Sequence, residues 1–183
     1  MDKSSKIKSV LITGCSSGIG LCIAHGLQSG GYRVFASARK QSDVEELKKL
    51  GFDSLLLDLS SSSSINSAIS KLFDQTDNLF ALINNGAYGQ AGALEDISRE
   101  ALEKQFQVNV FGWHELTNLV LPLMRKVNKG RIIYISSVLG FVAMPFRGPY
   151  VASKFAIEGL VITLRLELND TDIKLSLIQP GPI

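Results

Sequence analysis

Short apolar runs alternate with longer stretches of mixed polarity along the chain. The runs lie at about residues 9–13, 33–38, 54–58, 79–83, 131–136 and 174–178. Apolar runs of this length, bounded by turn residues, are typical of strands buried on both faces. The stretches between them repeat apolar residues at helical spacing, as at Ile65, Ala68, Ile69, Leu72 and Phe73. This alternation predicts an α/β fold, a doubly wound parallel sheet with helices on both faces and the strand order 3-2-1-4-5-6.

The first apolar run leads directly into a glycine-rich segment, residues 14–20. A helical pattern follows to about Ser29 and ends at Gly30 and Gly31. Glycines allow a tight turn and a close backbone approach, and the start of the helix presents free N–H groups to a phosphate. Because no Gly-Lys-Ser or Gly-Lys-Thr sequence closes the segment, it does not match the loop that binds nucleoside triphosphates. The segment predicts a dinucleotide-binding turn.

Two basic residues, Arg39 and Lys40, follow the second predicted strand. In a dinucleotide fold this position meets the adenosine ribose, where a carboxylate accepts hydrogen bonds from the 2′-hydroxyl of NAD. A cationic pair instead fits a 2′-phosphate and therefore favours NADP. The alternative is that the two residues simply begin a solvated helix.

Polar residues also follow the third and fourth predicted strands, at the edge where open α/β sheets bind ligands. Asp58 is expected either to meet the adenine or to cap the next helix. Asn84, Asn85 and Gly86 suit a site wall near a ribose and equally suit a turn. The serines at residues 60–64 are interpreted as a loop that contains a helix N-cap.

The pattern predicts one long helix from the cap residue Ser98 to about Met124. Asn109, flanked by two valines, lies near the middle of this helix, which is unusual for asparagine and suggests a specific use of its amide. Pro122 is expected to bend or tighten the last turns.

A serine, a tyrosine and a lysine lie close together in the segment from Ser137 to Lys154. Tyr150 and Lys154 are four residues apart, so on a helix they share one face. A nearby ammonium stabilises a phenolate and makes a tyrosine an effective general acid or base. The Ser137 hydroxyl could donate to an oxygen that gains negative charge during a reaction. On its own, the tyrosine–lysine spacing also fits an ordinary surface pair.

Composition narrows the classes of function. A chain of 183 residues, 45% hydrophobic and 20% charged, fits a single domain over residues 1–183. A net charge of +2 without a long basic run argues against nucleic-acid or membrane-surface binding. Cys15 and Cys22 have no metal-ligand spacing and are expected to be reduced thiols, and His25 and His114 are expected to be structural or surface residues. The spacing of these residues predicts no metal site. No apolar signal core precedes the first strand, so we expect a cytoplasmic protein.

The motifs, taken together and in this order, resemble the short-chain dehydrogenase/reductase family in its compact single-domain branch, over essentially the whole chain. The family's Thr-Gly-x-x-x-Gly-x-Gly motif matches Thr13, Gly14, Gly18 and Gly20, its catalytic Asn, Ser, Tyr and Lys match Asn109, Ser137, Tyr150 and Lys154, and its Pro-Gly matches Pro180 and Gly181. The resemblance implies a Rossmann fold and hydride transfer between NADP and an alcohol or carbonyl substrate.

The resemblance also implies catalytic roles. In reduction, Tyr150 would protonate the carbonyl oxygen and Ser137 would bind that oxygen of the substrate. Lys154 would make the tyrosine more acidic and bind the nicotinamide ribose. Asn109 would position a water that relays protons to Lys154.

Cofactor contacts are implied in the same way. The resemblance places Ser16, Ser17 and Ile19 at the phosphates, Asp58 at the adenine, Asn85 near a ribose and the backbone of Ile183 near the carboxamide. Arg39 lies where NADP-preferring members carry a basic residue. The other residues expected to bind the cofactor are Gly14, Gly18, Gly20, Tyr150, Lys154, Pro180 and Gly181.

Two departures from the family stand out. The family usually has Asn-Asn-Ala-Gly, whereas this chain has Gly86 and Ala87 after the two asparagines. Family members also continue past the Pro-Gly motif into a substrate-covering segment and a seventh strand, and the chain stops at Ile183. The resemblance therefore implies a C-terminally truncated member, without the lid and with the sixth strand as an exposed edge.

Several readings of function stay open at this stage. The leading one is an NADP-dependent oxidoreductase acting on an apolar aldehyde, ketone or alcohol. A steroid- or retinoid-like substrate is implied by the resemblance to family members that act on steroids, retinoids or aliphatic carbonyls, and residues 87–94 and 139–146 are apolar loops. The alternative is a truncated, catalytically weak dinucleotide-binding protein. A related epimerase or dehydratase is disfavoured by the glycine spacing and the short chain. The family's habit of assembly permits a homodimer or homotetramer.

Overall fold

The computed structural model describes residues 7–182. Six strands form one parallel sheet, and their bounds are β1 Ser9–Ile12, β2 Arg33–Ala38, β3 Asp53–Leu56, β4 Leu79–Asn84, β5 Gly130–Ile135 and β6 Ile173–Ile178. The order across the sheet is β3-β2-β1-β4-β5-β6, and every neighbouring pair is parallel. The fold class and strand order predicted from the sequence are therefore confirmed.

Helices connect the strands. Their bounds are α1 Gly18–Ser29, α2 Gln41–Lys49, α3 Ser62–Phe73, α4 Arg99–Phe106, α5 Trp113–Lys126 and α6 Gly148–Glu167, with a π-helical segment, Gln107–Gly112, between α4 and α5. The helices cover both faces of the sheet, since α1 and α2 contribute to one buried cluster and α3, α5 and α6 to the other.

The central strands β1, β2 and β4 are buried on both faces, whereas Lys174 and Ser176 of the edge strand β6 are exposed. In β1, Val10 and Ile12 point into the cluster beneath α1 and α2, whereas Leu11 points into the opposite cluster. This alternation follows from the two-residue period of a strand. Strands covered on both sides fix the sheet firmly, so the loops at its carboxyl edge start from well-defined positions.

Three predictions about local structure need correction. The single long helix predicted after Ser98 is interrupted by the π-helical segment, although Ser98 caps its start by accepting the Ala101 N–H at 3.2 Å. The predicted serine loop extends only to Ser61, because Ser62 already begins α3. Asp58 does not cap α3, since the Ser61 side chain accepts the Ser64 N–H there.

The strand register brings the functional segments to one edge. Ile12 pairs with Ile83, and Ile83 pairs with Ile133. The segments that follow β1, β4, β5 and β6 therefore leave the sheet side by side, at the carboxyl edge where open α/β sheets bind ligands. Within residues 7–182, no helix is both long and apolar enough to cross a membrane.

Candidate active site

A cleft of about 760 Å³ opens at the carboxyl edge of the sheet. Its lining combines the turn after β1, the loop after β4, the loop after β5, the first half of α6 and the segment after β6. Of the predicted site residues, it is lined by Gly14, Ser16, Ser17, Ile19, Asn85, Ser137, Tyr150, Lys154, Pro180 and Gly181. The fold thus brings three of the four predicted catalytic residues, Ser137, Tyr150 and Lys154, into one cavity with part of the glycine turn.

The turn after β1 is built for close backbone contact. Gly14 and Gly18 have positive φ values of 69° and 59°, a backbone conformation that residues with a side chain rarely adopt. A Cβ on Gly14 would lie 2.5 Å from the Gly86 Cα, and one on Gly20 would lie 2.3 Å from the Gly14 carbonyl oxygen. Ser17 is extended and makes no side-chain cap bond, so the first turn of α1 keeps N–H groups for an anion. A dinucleotide pyrophosphate fits this turn.

Thr13 and Asn85 tie this turn to the end of β4. The Thr13 hydroxyl oxygen accepts the backbone N–H groups of Asn85 and Gly86, both at 2.9 Å. The Asn85 amide donates in return to the carbonyl oxygens of Thr13 at 2.9 Å and Gly14 at 3.0 Å. Asn85 lines the cleft, and its amide N–H groups hold the turn, so its predicted contact with a ribose stays a prediction.

Ser137 and Tyr150 face the cleft from two different elements. Ser137 follows β5 and accepts the Leu139 N–H at 3.1 Å through its hydroxyl oxygen, which leaves its O–H free to donate. Tyr150 lies in the first turn of α6 and is partly exposed. Gly89 makes room for its ring, because a Cβ there would lie 3.3 Å from the Tyr150 Cδ2.

Lys154 lies one turn below Tyr150 and is almost completely buried, with 1% of its surface exposed. Its ammonium donates to the Ile135 carbonyl oxygen at 2.8 Å and lies 5.5 Å from the centroid of the Tyr150 ring. Burial lowers the pKa of Lys154 to about 7, while the Glu158 carboxylate acts in the opposite direction. The Lys154 amine thus lies under the tyrosine in a poorly hydrated place, which brings its pKa down toward neutral pH.

Asn109 lies in the π-helical segment and is fully buried. Its amide accepts the Tyr88 N–H at 3.2 Å and donates to the Tyr88 carbonyl oxygen at 2.9 Å and to the Ser153 hydroxyl at 3.1 Å. It therefore fixes the loop after β4 against α6. The predicted water relay through Asn109 stays a prediction.

Some predicted cofactor residues lie outside the lining of this cleft. Arg39 is exposed just beyond β2, and Asp58 accepts the N–H and O–H of Ser60 at 2.9 and 2.7 Å. Gly18 and Gly20 belong to the glycine turn but do not line the cleft. Ile183 lies outside the described residues, so its predicted contact is not tested.

Two buried residues near Lys154 were not predicted as site residues. Trp113 and Glu158 fall in helical stretches whose apolar or mixed pattern indicates only a core face and a helix surface. The spacing of Glu158, four residues after Lys154, was the one available signal, since it places the two on one face of the helix. No comparable sequence signal pointed to Trp113, because an aromatic residue at a core position of a helix is ordinary. Within residues 7–182, no group of three His, Cys, Asp or Glu side chains is placed to hold a metal ion.

Comparison with known proteins agrees with this geometry. The chain is 48% identical over 177 residues to YbbO, an uncharacterized oxidoreductase of Escherichia coli K12, covering 96% of this chain and 66% of that protein. It is 40% identical over 172 residues to a 3-ketodihydrosphingosine reductase of Bacteroides thetaiotaomicron, covering 94% of this chain and 62% of that protein. A crystal structure of a variant actinorhodin polyketide ketoreductase with NADPH superposes with a TM-score of 0.91 at 30% identity, over 97% of this chain and 71% of that one.

The chain spans 66% or less of the length of these two curated relatives. Residues 8–183 match the family described as short chain dehydrogenase, which is nearly the whole chain. On this match and on the relatives' identity, the chain belongs to the short chain dehydrogenase family.

Proposed function

We propose that this protein is an NADP-dependent oxidoreductase that interconverts an alcohol and a carbonyl compound, with an apolar substrate. The observation that carries the proposal is the shared cleft, in which Ser137, Tyr150 and Lys154 face the same space as the glycine turn after β1. Bound NADP(H) would supply or accept the hydride. The residues of this chain bind, orient and handle the proton.

Ser137 and Tyr150 act on the substrate oxygen. The Ser137 O–H donates a hydrogen bond to that oxygen, which stabilises the negative charge it gains during reduction. Tyr150 gives its hydroxyl proton to the same oxygen in reduction and takes it back in oxidation. Lys154 carries a positive charge beneath the ring, which favours the phenolate form during transfer. Groups of this kind typically contribute about 10²- to 10⁴-fold each.

The choice of NADP over NAD rests on the residues after β2. Arg39 and Lys40 are both exposed at the carboxyl end of that strand. A guanidinium there suits a 2′-phosphate because it can form charge-assisted, bidentate hydrogen bonds. The ketoreductase that superposes on this chain has NADPH bound, which supports the same choice.

An apolar substrate is supported by the rim of the cleft. Met144 lines the cavity, and Leu94, Phe141 and Phe146 are exposed beside it, Phe146 with 67% of its surface accessible. The Gly92 N–H donates to the Phe146 carbonyl oxygen at 3.0 Å, which joins the loops that carry these side chains. Exposed apolar groups grouped at a cavity indicate a binding surface. One relative is named as a reductase of a ketone, which is consistent with a carbonyl substrate.

A homodimer or homotetramer is part of the same proposal. The outer surface of α6 exposes Phe155, Ile162 and Leu166, with 46%, 47% and 73% of their surfaces accessible. An apolar helix face of this kind would be covered in an assembly of identical chains.

The test is cofactor binding followed by turnover. The purified protein is titrated with NADPH and with NADH while nicotinamide fluorescence is followed, and a panel of apolar aldehydes and ketones is then assayed. We expect tighter binding of NADPH, and reduction that Tyr150→Phe lowers by about 10²-fold or more without weakening NADPH. Tyr32→Phe is the matched control, because Tyr32 packs on Phe80 away from the cleft.

Two outcomes would count against the proposal. Equal activity of Tyr150→Phe and the unchanged protein would remove the tyrosine from its role. Saturable NADPH binding without reduction of any carbonyl would favour the second candidate, a catalytically weak dinucleotide-binding protein. The relatives' greater length is the observation that keeps this candidate in view.

A further inference from the structure

The buried position of Lys154 raises the question of what keeps its side chain charged. Removing an ammonium from water disfavours the charged form, and within residues 7–182 its hydrogen-bond acceptor is the Ile135 carbonyl oxygen at 2.8 Å. The function proposed for Tyr150 nevertheless requires a cation beneath it. Two further groups in the described part of the chain supply the missing stabilisation.

Trp113 is the first of these groups. It is the only tryptophan of the chain and is completely buried. The Lys154 Nζ lies over its ring, 4.5 Å from the centroid, which is well within the range of a cation–π interaction. Its indole N–H donates to the Gly86 carbonyl oxygen at 2.8 Å, and this bond fixes the plane of the ring. The aromatic face is therefore held in place for the ammonium.

Glu158 is the second group. It lies one turn beyond Lys154 on α6, with only 6% of its surface exposed, and its carboxylate raises the pKa of the lysine against the effect of burial. Both of its carboxylate oxygens accept from the Gln179 side-chain amide at 3.2 Å. A Cβ on Gly140 would lie 3.0 Å from Glu158 Oε1, so the absence of a side chain there leaves room for the carboxylate.

We propose that Trp113 and Glu158 are positioning residues that hold the Lys154 ammonium charged at the floor of the cleft. The inference rests on the proposed function for its catalytic meaning. The ring supplies a negative face on one side and the carboxylate supplies a full charge along the helix. Together they offset part of the desolvation of the lysine.

The other ionisable neighbours do not supply this charge. Tyr150 shares α6 with the lysine and is its functional partner. Tyr134, from β5, packs against Trp113 at 6.0 Å between centroids, and burial raises its pKa to about 12, so it stays neutral. The segments before and after α6 contribute to this place through Ile135 and Gln179, which carry no charge.

The first experiment uses the single tryptophan as a reporter and needs neither cofactor nor substrate. Fluorotryptophan is incorporated, and the one fluorine NMR signal is followed as pH is raised. We expect one inflection from the lysine below Trp113 that is absent in Lys154→Met. In Glu158→Gln, which keeps the shape of the side chain, the midpoint should fall by roughly one unit.

The same titration can overturn the inference. An inflection that persists in Lys154→Met, or a signal that never responds to pH, would mean that the indole does not sense this ammonium. An unchanged midpoint in Glu158→Gln would remove the carboxylate from the role. Because the measurement is made without turnover, these outcomes are separate from a failure of the proposed oxidoreductase activity.

The second experiment tests the ring itself through the pH profile of carbonyl reduction. Trp113→Leu removes the aromatic face, so the lysine should lose its charge at lower pH and the alkaline limb of kcat/KM should move down by roughly one unit. Trp113→Phe keeps a weaker face and should move the limb less. Phe35→Leu, another fully buried aromatic position of the same core, is the control and should leave the limb in place. Equal profiles for Trp113→Leu and Phe35→Leu would assign Trp113 to packing alone.

Discussion

Replacing Gly20 with alanine should disrupt the cofactor turn, because the added Cβ would collide with the backbone of Gly14 and the side chain of Asn85. Its Cβ would lie 2.3 Å from the Gly14 carbonyl oxygen and 2.5 Å from the Asn85 Nδ2. Real Cβ atoms essentially never approach so closely, and the first of these contacts is backbone. Either α1 moves away from the turn or Asn85 gives up its place.

The expected magnitude follows from what is lost. Displacing Asn85 breaks its two hydrogen bonds to the carbonyl oxygens of Thr13 and Gly14, at about 1 kcal/mol each. Overpacking adds roughly 1–3 kcal/mol. The better helix propensity of alanine returns about 1 kcal/mol. Gly20→Ala should therefore lower the free energy of unfolding by about 2–4 kcal/mol and weaken NADPH binding, because the same contacts shape the phosphate turn.

Urea unfolding with the m-value checked, and NADPH titration, are the assays. Gly26→Ala is the matched control, since Gly26 lies in the same helix and a Cβ there meets nothing within 4 Å. It should raise the free energy of unfolding by roughly 0.5–1 kcal/mol and leave NADPH affinity unchanged. If Gly20→Ala instead behaves like Gly26→Ala in both assays, the steric argument is wrong.

Three further changes test other parts of the site. Thr13→Val leaves two backbone N–H groups after β4 without their acceptor and should lower the free energy of unfolding in urea by about 2–4 kcal/mol. Thr13→Ser keeps the hydroxyl and should retain most of that stability, so similar losses for both variants would contradict the role of the hydroxyl. Gly112→Ala places a Cβ 2.2 Å from the Leu59 carbonyl oxygen and should cost roughly 1–3 kcal/mol, and an unfolding midpoint equal to that of the unchanged protein would refute the contact. Arg39→Ala should raise the Kd of NADPH by about tenfold or more with little change for NADH, and equal losses would refute the 2′-phosphate assignment.

The sheet could be predicted because its pattern is local and repeated. The central strands are buried on both faces, so their apolar runs are continuous and visible in the sequence. Helices between successive strands leave a parallel sheet as the simple arrangement, and the strand order follows from the dinucleotide fold. The glycine turn was equally visible, because close backbone contacts at Gly14 and Gly20 leave no alternative residue type.

The π-helical segment could not be predicted in the same way. It differs from an α-helix by a small change in winding, and the apolar pattern from Ser98 to Met124 fits both. The partners of its central residue are distant in sequence, since Asn109 bonds the backbone of Tyr88 and the hydroxyl of Ser153. The sequence context of Asn109 predicted a specific use of its amide. The hydrogen-bond partners of that amide are seen only in the folded chain.

The contacts of Gly86 join the two halves of the site. Its N–H binds the Thr13 hydroxyl next to the phosphate turn, and its carbonyl oxygen binds the indole N–H of Trp113, whose face carries the Lys154 ammonium. The peptide groups on both sides of one residue thus fix the place of the cofactor turn and the place of the lysine. The chain departs from the family's usual order here, with glycine before alanine, and the glycine is the residue that packs against Gly14, where a Cβ would lie 3.2 Å from the Gly14 nitrogen. A change at this position would therefore move the phosphate turn and the lysine together, so binding and proton transfer need not be separable there.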